Sequence, residues 1–282
     1  MTVKRVGIVG SGIMGSGIAE VAAKAGFEVV LRSRQQSSAD RMTAGLEKSL
    51  GKQVDKGKLD AGERDAVLGR VRTVTDLGEL TECDLVIESI VEDLATKKHL
   101  FNELDRVCND GAVIATNTST LPVVEMAMES RPEKVCGIHF FNPAPMMPLV
   151  EIVRCITTSD TTAETARAFV EACGKSPVLV RDQAGFIVNA LLFPYLNNAV
   201  KLLDAGVATR DDIDAAMKGG CNFPMGPLEL LDLVGLDTSL AIIEALYAEF
   251  RDPNYAPAPL LRRMVSAERL GRKSRHGFYD YS

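Results

Sequence analysis

No stretch of this 282-residue sequence reaches the run of about eighteen uncharged apolar residues that a membrane-spanning helix needs. No C-x-x-C pair occurs, histidine appears only three times, and the six cysteines (Cys83, Cys108, Cys136, Cys155, Cys173 and Cys221) are widely scattered. Neither zinc-site spacing nor a disulfide framework is present, so no metal is expected and the cysteines read as reduced, structural thiols. Positive charge is not in excess: the net charge of -6 argues against a general nucleic-acid binder, although a local basic patch can still meet a phosphorylated ligand. Apolar residues make up 46% and mean hydropathy is close to zero. This excludes disordered and collagen-like chains and leaves core enough for one large domain or two ordinary ones. Strand patterning begins at Val3, leaving no space for a signal or transit peptide, so the expected location is the cytoplasm.

What is present begins at once. An apolar strand, Val6 to Val9, runs into Gly10-Ser11-Gly12-Ile13-Met14-Gly15, a helix-like segment and a second strand, Glu28 to Leu31. This is a dinucleotide-binding opening. Gly10 allows the tight turn, Gly12 lets the backbone approach a pyrophosphate, and Gly15 lets the helix pack against its strand, with the helix N-terminus facing the phosphates. At the end of the second strand an NAD-preferring protein usually places Asp or Glu; here the residues are Arg32-Ser33-Arg34, with Ser33 where the carboxylate is expected. Two cations there welcome a 2′-phosphate.

Through about residue 180, strand-length apolar runs alternate with helical patterns: Val3–Val9, Glu28–Leu31, Arg70–Val74, Asp84–Glu88, Ala112–Ala115, Lys134–His139, Val150–Cys155 and Pro177–Arg181. The alternation predicts a doubly wound α/β fold with a parallel sheet. The segment 39–59, carrying Lys48, Lys52, Lys56 and Lys58, reads as a projecting, solvated helix hairpin inserted after the second strand. A boundary falls in Asp182-Gln183-Ala184-Gly185, giving a domain of 1–184 and an all-helical one of 185–282 built from amphipathic segments at 191–203, 211–217, 228–233, 239–250 and 260–265.

His139 ends an apolar strand at what a parallel sheet makes its ligand-binding edge, and a histidine there can take an alcohol proton and return it. Taken alone it could equally be a satisfied core residue. Glu151, twelve residues on, stands among apolar neighbours and either fixes the tautomer of His139 or lies at a strand edge in water. Asn117-Thr118-Ser119-Thr120 and Asn189 offer hydrogen bonds to a substrate or, as loop-to-helix residues, cap helices.

These segments together resemble the 3-hydroxyacyl-CoA dehydrogenase family, in particular its short 3-hydroxybutyryl-CoA dehydrogenases, over nearly the whole chain. The motifs appear in order as Gly10–Gly15, Ile90-Val91-Glu92, Thr116-Asn117-Thr118-Ser119, His139-Phe140-Phe141-Asn142-Pro143, Leu149-Val150-Glu151, Gly185-Phe186-Ile187-Val188-Asn189, Pro224-Met225-Gly226-Pro227-Leu228-Glu229, and Gly271-Arg272-Lys273-Ser274 before Gly277-Phe278. The resemblance implies a Rossmann-type domain and a helical domain that binds substrate and dimerises. It makes His139 the acid/base residue, Glu151 its partner, and Ser119 and Asn189 the polar groups around the reacting oxygen. It places Gly10, Ser11, Gly12, Ile13, Met14, Gly15, Ser33, Glu92, Lys97, Ser119, Asn142 and Lys273 at the dinucleotide and Ser49 and Lys56 at coenzyme A.

This chain departs from the family in three places. Arg32-Ser33-Arg34 replaces the usual aspartate, so NADP(H) is the expected cofactor, with NAD(H) possible. Pro148 and Ala190 stand where relatives often carry lysine and arginine, which leaves the acyl length open. The expected reaction interconverts 3-hydroxybutyryl-CoA and acetoacetyl-CoA. The alternatives are another beta-hydroxyacid dehydrogenase acting on a free acid, against which the basic hairpin argues, and a dinucleotide-binding protein without catalysis.

Overall fold

The computed structural model describes residues 3–282. The chain divides after Asp182, and the second unit is Gln183–Ser282. In the first unit the order is β1 (Arg5–Val9), α1 (Ile13–Lys24), β2 (Glu28–Arg32), α2 (Gln36–Asp55), α3 (Ala61–Gly69), β3 (Val71–Val74), β4 (Leu85–Glu88), α4 (Leu94–Val107), β5 (Val113–Thr116), α5 (Val123–Ala127), β6 (Val135–Phe140), β7 (Leu149–Arg154), α6 (Asp160–Ala172) and β8 (Ser176–Arg181). One eight-stranded sheet runs β3-β2-β1-β4-β5-β6-β7-β8.

Every residue of β4, β5 and β6 is buried, as continuous apolar runs require when helices cover both faces of a sheet. The core joins β1, β2, β4 and β6 to Ile18, Ala19 and Ala22 of α1 and to Phe169 and Val170 of α6. The segment 39–59 expected to form a hairpin holds a single helix, α2, and the second helix, α3, follows it at 61–69; α2 is not wholly solvated, since Met42, Leu46 and Leu50 enter that core. Lys48, Lys52, Lys56 and Lys58 are exposed.

The uniformly parallel sheet needs one correction. β6 and β7 pair antiparallel, with His139 opposite Glu151, while the other neighbouring strands are parallel. Eight residues, 141–148, separate the two strands, too few for the dozen or so that a parallel crossover needs. Apolar patterning specifies a strand but not its direction.

The second unit is helical: α7 (Val188–Asp204), α8 (Arg210–Cys221), α9 (Pro227–Val234), α10 (Leu236–Phe250) and α11 (Pro259–Ser266). Its core contains Leu196, Val200, Leu228, Leu231, Leu236, Ile243 and Leu261. Two buried carboxylates organise it. Asp214 accepts from the Leu228 and Glu229 amides at the start of α9, and Asp232 accepts from the Phe278 and Tyr279 amides, tying down the C-terminal segment. Among the described residues no helix is long and apolar enough to cross a membrane.

Candidate active site

The first turn after β1 is shaped by three glycines with different tasks. Gly10 has φ +135°, and a Cβ there would lie 2.2 Å from the Ser89 carbonyl oxygen; one on Gly15 would lie 2.1 Å from the Gly10 carbonyl oxygen. A side chain on Gly10 would collide with the backbone that follows β4, and one on Gly15 would push α1 off the turn that follows β1. A Cβ on Gly12 would meet nothing within 4 Å. Gly12 is also the N-cap of α1 and brings no side-chain cap, so the first-turn amides look onto open space. That is what an approaching pyrophosphate needs.

At the end of β2, Ser33 is 2% exposed and its Oγ has no hydrogen-bond partner among the described residues. Arg32 donates from Nε to the Thr75 carbonyl at 3.2 Å, and burial draws its guanidinium below the ordinary range. Arg34 is exposed.

At the carboxyl end of β6, His139 is 5% exposed and Glu151 is 0% exposed, with Nδ1 2.8 Å from Oε2. The antiparallel register creates this contact, because directly opposed residues project to the same face. Phe141 packs its ring against the imidazole at 4.5 Å between centroids. Neither the exposed strand-edge reading of Glu151 nor a His139 satisfied only by core packing describes the pair.

A second polar cluster crosses the ends of β4 and β5. Lys97 of α4 is 1% exposed; its ammonium lies 2.6 Å from Glu88 and 3.3 Å from Glu92. Glu88, fully buried, also accepts from Thr116 Oγ1 at 2.7 Å and from the Ile90 amide. Glu92 in turn accepts from Thr118 Oγ1, the Ser119 amide and, at 3.3 Å, Ser119 Oγ. Burial raises the Glu92 carboxyl, but Lys97 and these bonds outweigh it and hold it below the usual range. Lys97 thus lies under the surface, with Glu92 and Ser119 above it. Asn117 accepts from the Phe140 amide, fastening this loop to β6.

Between α1, α2 and residues 142–145 lies a groove of about 430 Å³. Ser49 lines it and donates to Glu20, a buried carboxylate that also accepts from Lys24 and Gln53. Asn142 lines it too. Lys56, just past α2, is exposed.

In the second unit, Gly185 and Phe186 have φ +73° and +50° and start the turn into α7. Asn189 is buried and sits inside the helix, whose N-cap is Ile187, so the capping alternative does not describe it. Lys273 is half exposed and paired with Asp237.

Glu88 and Glu20 are polar residues near these places that sequence reasoning passed over. Glu88 closes the apolar run Leu85-Val86-Ile87, and Glu20 interrupts an apolar helix face. In each, one carboxylate in apolar company was the available signal.

Residues 5–183 match the NAD binding domain of 3-hydroxyacyl-CoA dehydrogenase, and residues 185–281 match its C-terminal domain. The chain belongs to the 3-hydroxyacyl-CoA dehydrogenase family. It is 47% identical over 282 residues to a 3-hydroxybutyryl-CoA dehydrogenase of Mycobacterium tuberculosis, covering 99% of each chain. It is 41% identical to the mitochondrial hydroxyacyl-coenzyme A dehydrogenase of Homo sapiens, covering 99% of this chain and 91% of that one. The crystal structure of (S)-3-hydroxybutyryl-CoA dehydrogenase from Ralstonia eutropha superposes with a TM-score of 0.97 at 40% identity, covering 100% of both chains. Membership makes this an oxidoreductase that uses a nicotinamide dinucleotide, and the residues present fit that group. The open side of Gly12, the uncapped start of α1 and the unpartnered Ser33 hydroxyl are each a place for it.

Proposed function

We propose that the protein interconverts 3-hydroxybutyryl-CoA and acetoacetyl-CoA. The buried His139–Glu151 pair at the carboxyl edge of a dinucleotide-binding sheet carries this reading. When bound, the nicotinamide dinucleotide accepts the hydride from C3 or supplies it. The turn Gly10-Ser11-Gly12-Ile13-Met14-Gly15, together with Ser33, Glu92 and Asn142, would hold it. In oxidation His139 removes the 3-hydroxyl proton at Nε2, and in reduction it delivers the proton to the forming alkoxide. Glu151, bonded to Nδ1, fixes the tautomer and stabilises the protonated ring. Ser119 polarises the 3-oxygen, its 3.3 Å bond to Glu92 being long enough to yield to a better-placed acceptor. Asn189 is assigned to the same oxygen and Lys273 to the dinucleotide. Lys97 acts on the dinucleotide through Glu92.

The preferred cofactor is NADP(H). Ser33 carries no charge to repel a 2′-phosphate, and Arg32 and Arg34 flank it. A charge-assisted contact of about 1.5–3 kcal/mol corresponds to a preference of roughly ten- to a hundredfold. Ser49 and Lys56 receive coenzyme A, the exposed lysines of the hairpin attracting its phosphates. The names of the relatives support a short acyl chain. A cytoplasmic location is supported by six free cysteines. Pairing of two copies through the second unit is supported by exposed Leu191, Leu202, Val207 and Leu233; a sizing column that returned only monomer would remove it.

The test is kcat/KM for acetoacetyl-CoA reduction with NADPH and with NADH, beside the same measurement on free acetoacetate. Thioester turnover favouring NADPH is expected. An NADH preference would take Arg32 and Arg34 out of the cofactor site, equal use of the free acid would take the groove out of substrate binding, and no turnover would refute the reaction.

A further inference from the structure

The turn that follows His139 has an unusual hydrogen-bond problem. Residues 142–148 include Pro143, Pro145 and Pro148, none of which has an amide hydrogen to donate. The turn makes two bonds of its own, from the Met146 and Met147 amides to the Pro143 carbonyl. The carbonyls of Ala144, Pro145 and Met147 are satisfied from outside, all by one group: Lys175, between α6 and β8, places Nζ 2.8, 3.1 and 2.8 Å from them. An ammonium has three donors, and here all three are used.

The same turn is a wall of the groove between α1 and α2, which Asn142, Pro143, Ala144 and Pro145 line. Its seat on α1 is close. A Cβ on Gly17 would lie 3.2 Å from the Ala144 Cβ and 3.4 Å from the Pro145 Cδ, so the wall is pressed against the helix on one side and held by Lys175 on the other.

We propose that Lys175 is a positioning residue for the substrate groove: its ammonium fixes the wall formed by residues 142–147, and thereby sets the affinity for the coenzyme A portion of the thioester. This rests on the reading that the groove receives that portion. The device is pH-sensitive. Burial lowers the Lys175 ammonium below the ordinary lysine range, with the Cys173 thiol opposing and the Lys24 ammonium adding to the shift. As pH rises the amine keeps two N–H donors for three carbonyls, and the wall loosens. Lys24 and Cys173 are the titratable groups that face it. Burial pushes Cys173 up to about 12, so it stays protonated in the alkaline range that matters, and Lys24 is paired with Glu20.

Desulfo-coenzyme A, which cannot react, is the probe, and isothermal calorimetry reads its Kd without turnover. Lys175→Met should weaken binding about tenfold, the loss expected when bonds from a charged donor go, and Lys175→Arg should recover most of it. Between about pH 7 and pH 10 the wild-type Kd should climb several-fold more than those of both variants, because at this position arginine keeps its charge and methionine has none. Equal affinity of Lys175→Met and wild type, or the same alkaline rise in both, would overturn the proposal. Should Lys175→Met not fold, the comparison of wild type with Lys175→Arg decides alone: a parallel alkaline rise refutes it. Wild-type protein that binds desulfo-coenzyme A but does not reduce acetoacetyl-CoA would count against the reaction and leave the Lys175 assignment standing.

Discussion

Replacing Glu151 by Gln removes one charge and keeps the side chain's size. In the native protein the carboxylate is fully buried, 2.8 Å from the imidazole of His139 and directly across the strand pair from it. A buried bond of this kind to a charged partner contributes about 1.5–3 kcal/mol. The protonated ring forms as His139 takes the hydroxyl proton, so losing that stabilisation raises the barrier by a similar amount, or roughly ten- to a hundredfold in rate. The assay is kcat for 3-hydroxybutyryl-CoA oxidation by wild type, Glu151→Gln, His139→Gln and the double variant. In the proton transfer Glu151 acts through His139, so the second substitution should change the rate little once His139 is gone. Glu151→Gln within about twofold of wild type, or a further full loss on the His139→Gln background, would refute the pairing.

Gly15→Ala sets a Cβ 2.1 Å from the Gly10 carbonyl oxygen, so dinucleotide affinity measured by fluorescence titration should fall by an order of magnitude or more; an unchanged Kd would contradict the glycine's role. Lys97→Met leaves Glu88 buried without its cation and should cost about 3–5 kcal/mol of unfolding free energy in urea, whereas a change below about 1 kcal/mol would show the pair is not needed. Burial raises the Glu20 carboxyl, but Lys24, Gln53 and Ser49 hold it below the usual range. Its stabilisation is therefore complete above the unfolded glutamate pKa of about 4.3 and fades as pH falls through the lower folded value. The stability advantage of wild type over Glu20→Gln should shrink on acidification from about pH 5 to pH 3, and an advantage that grew would reverse the sign of the argument.

Much of the fold was legible because its strands and helices obey different periods. The glycine turn was readable for the same reason as its function: Gly10 and Gly15 leave no room for a Cβ, and Gly12 faces outward. The direction of β7 was not, although the short 141–148 link carried the cue, and with it the reason His139 meets Glu151. The sequence reading paired those two by chemistry, from one carboxylate among apolar residues, rather than by register. Only the family resemblance placed Lys97 at the dinucleotide, and a lysine on an amphipathic helix gives no sign that Glu88 waits beneath it. Glu20 and Lys175 escaped notice because Ser49 and Gln53, which join Lys24 on Glu20, and the carbonyls around Lys175 are distant in sequence, which composition and spacing do not reveal.

The central claim is that His139 moves the proton. The most direct measurement is kcat for acetoacetyl-CoA reduction by His139→Gln, with the dinucleotide Kd taken on the same protein. Positioned acid–base groups contribute about 10²–10⁴-fold, so the account predicts a rate loss in that range with cofactor affinity retained. Turnover near the wild-type rate would contradict it.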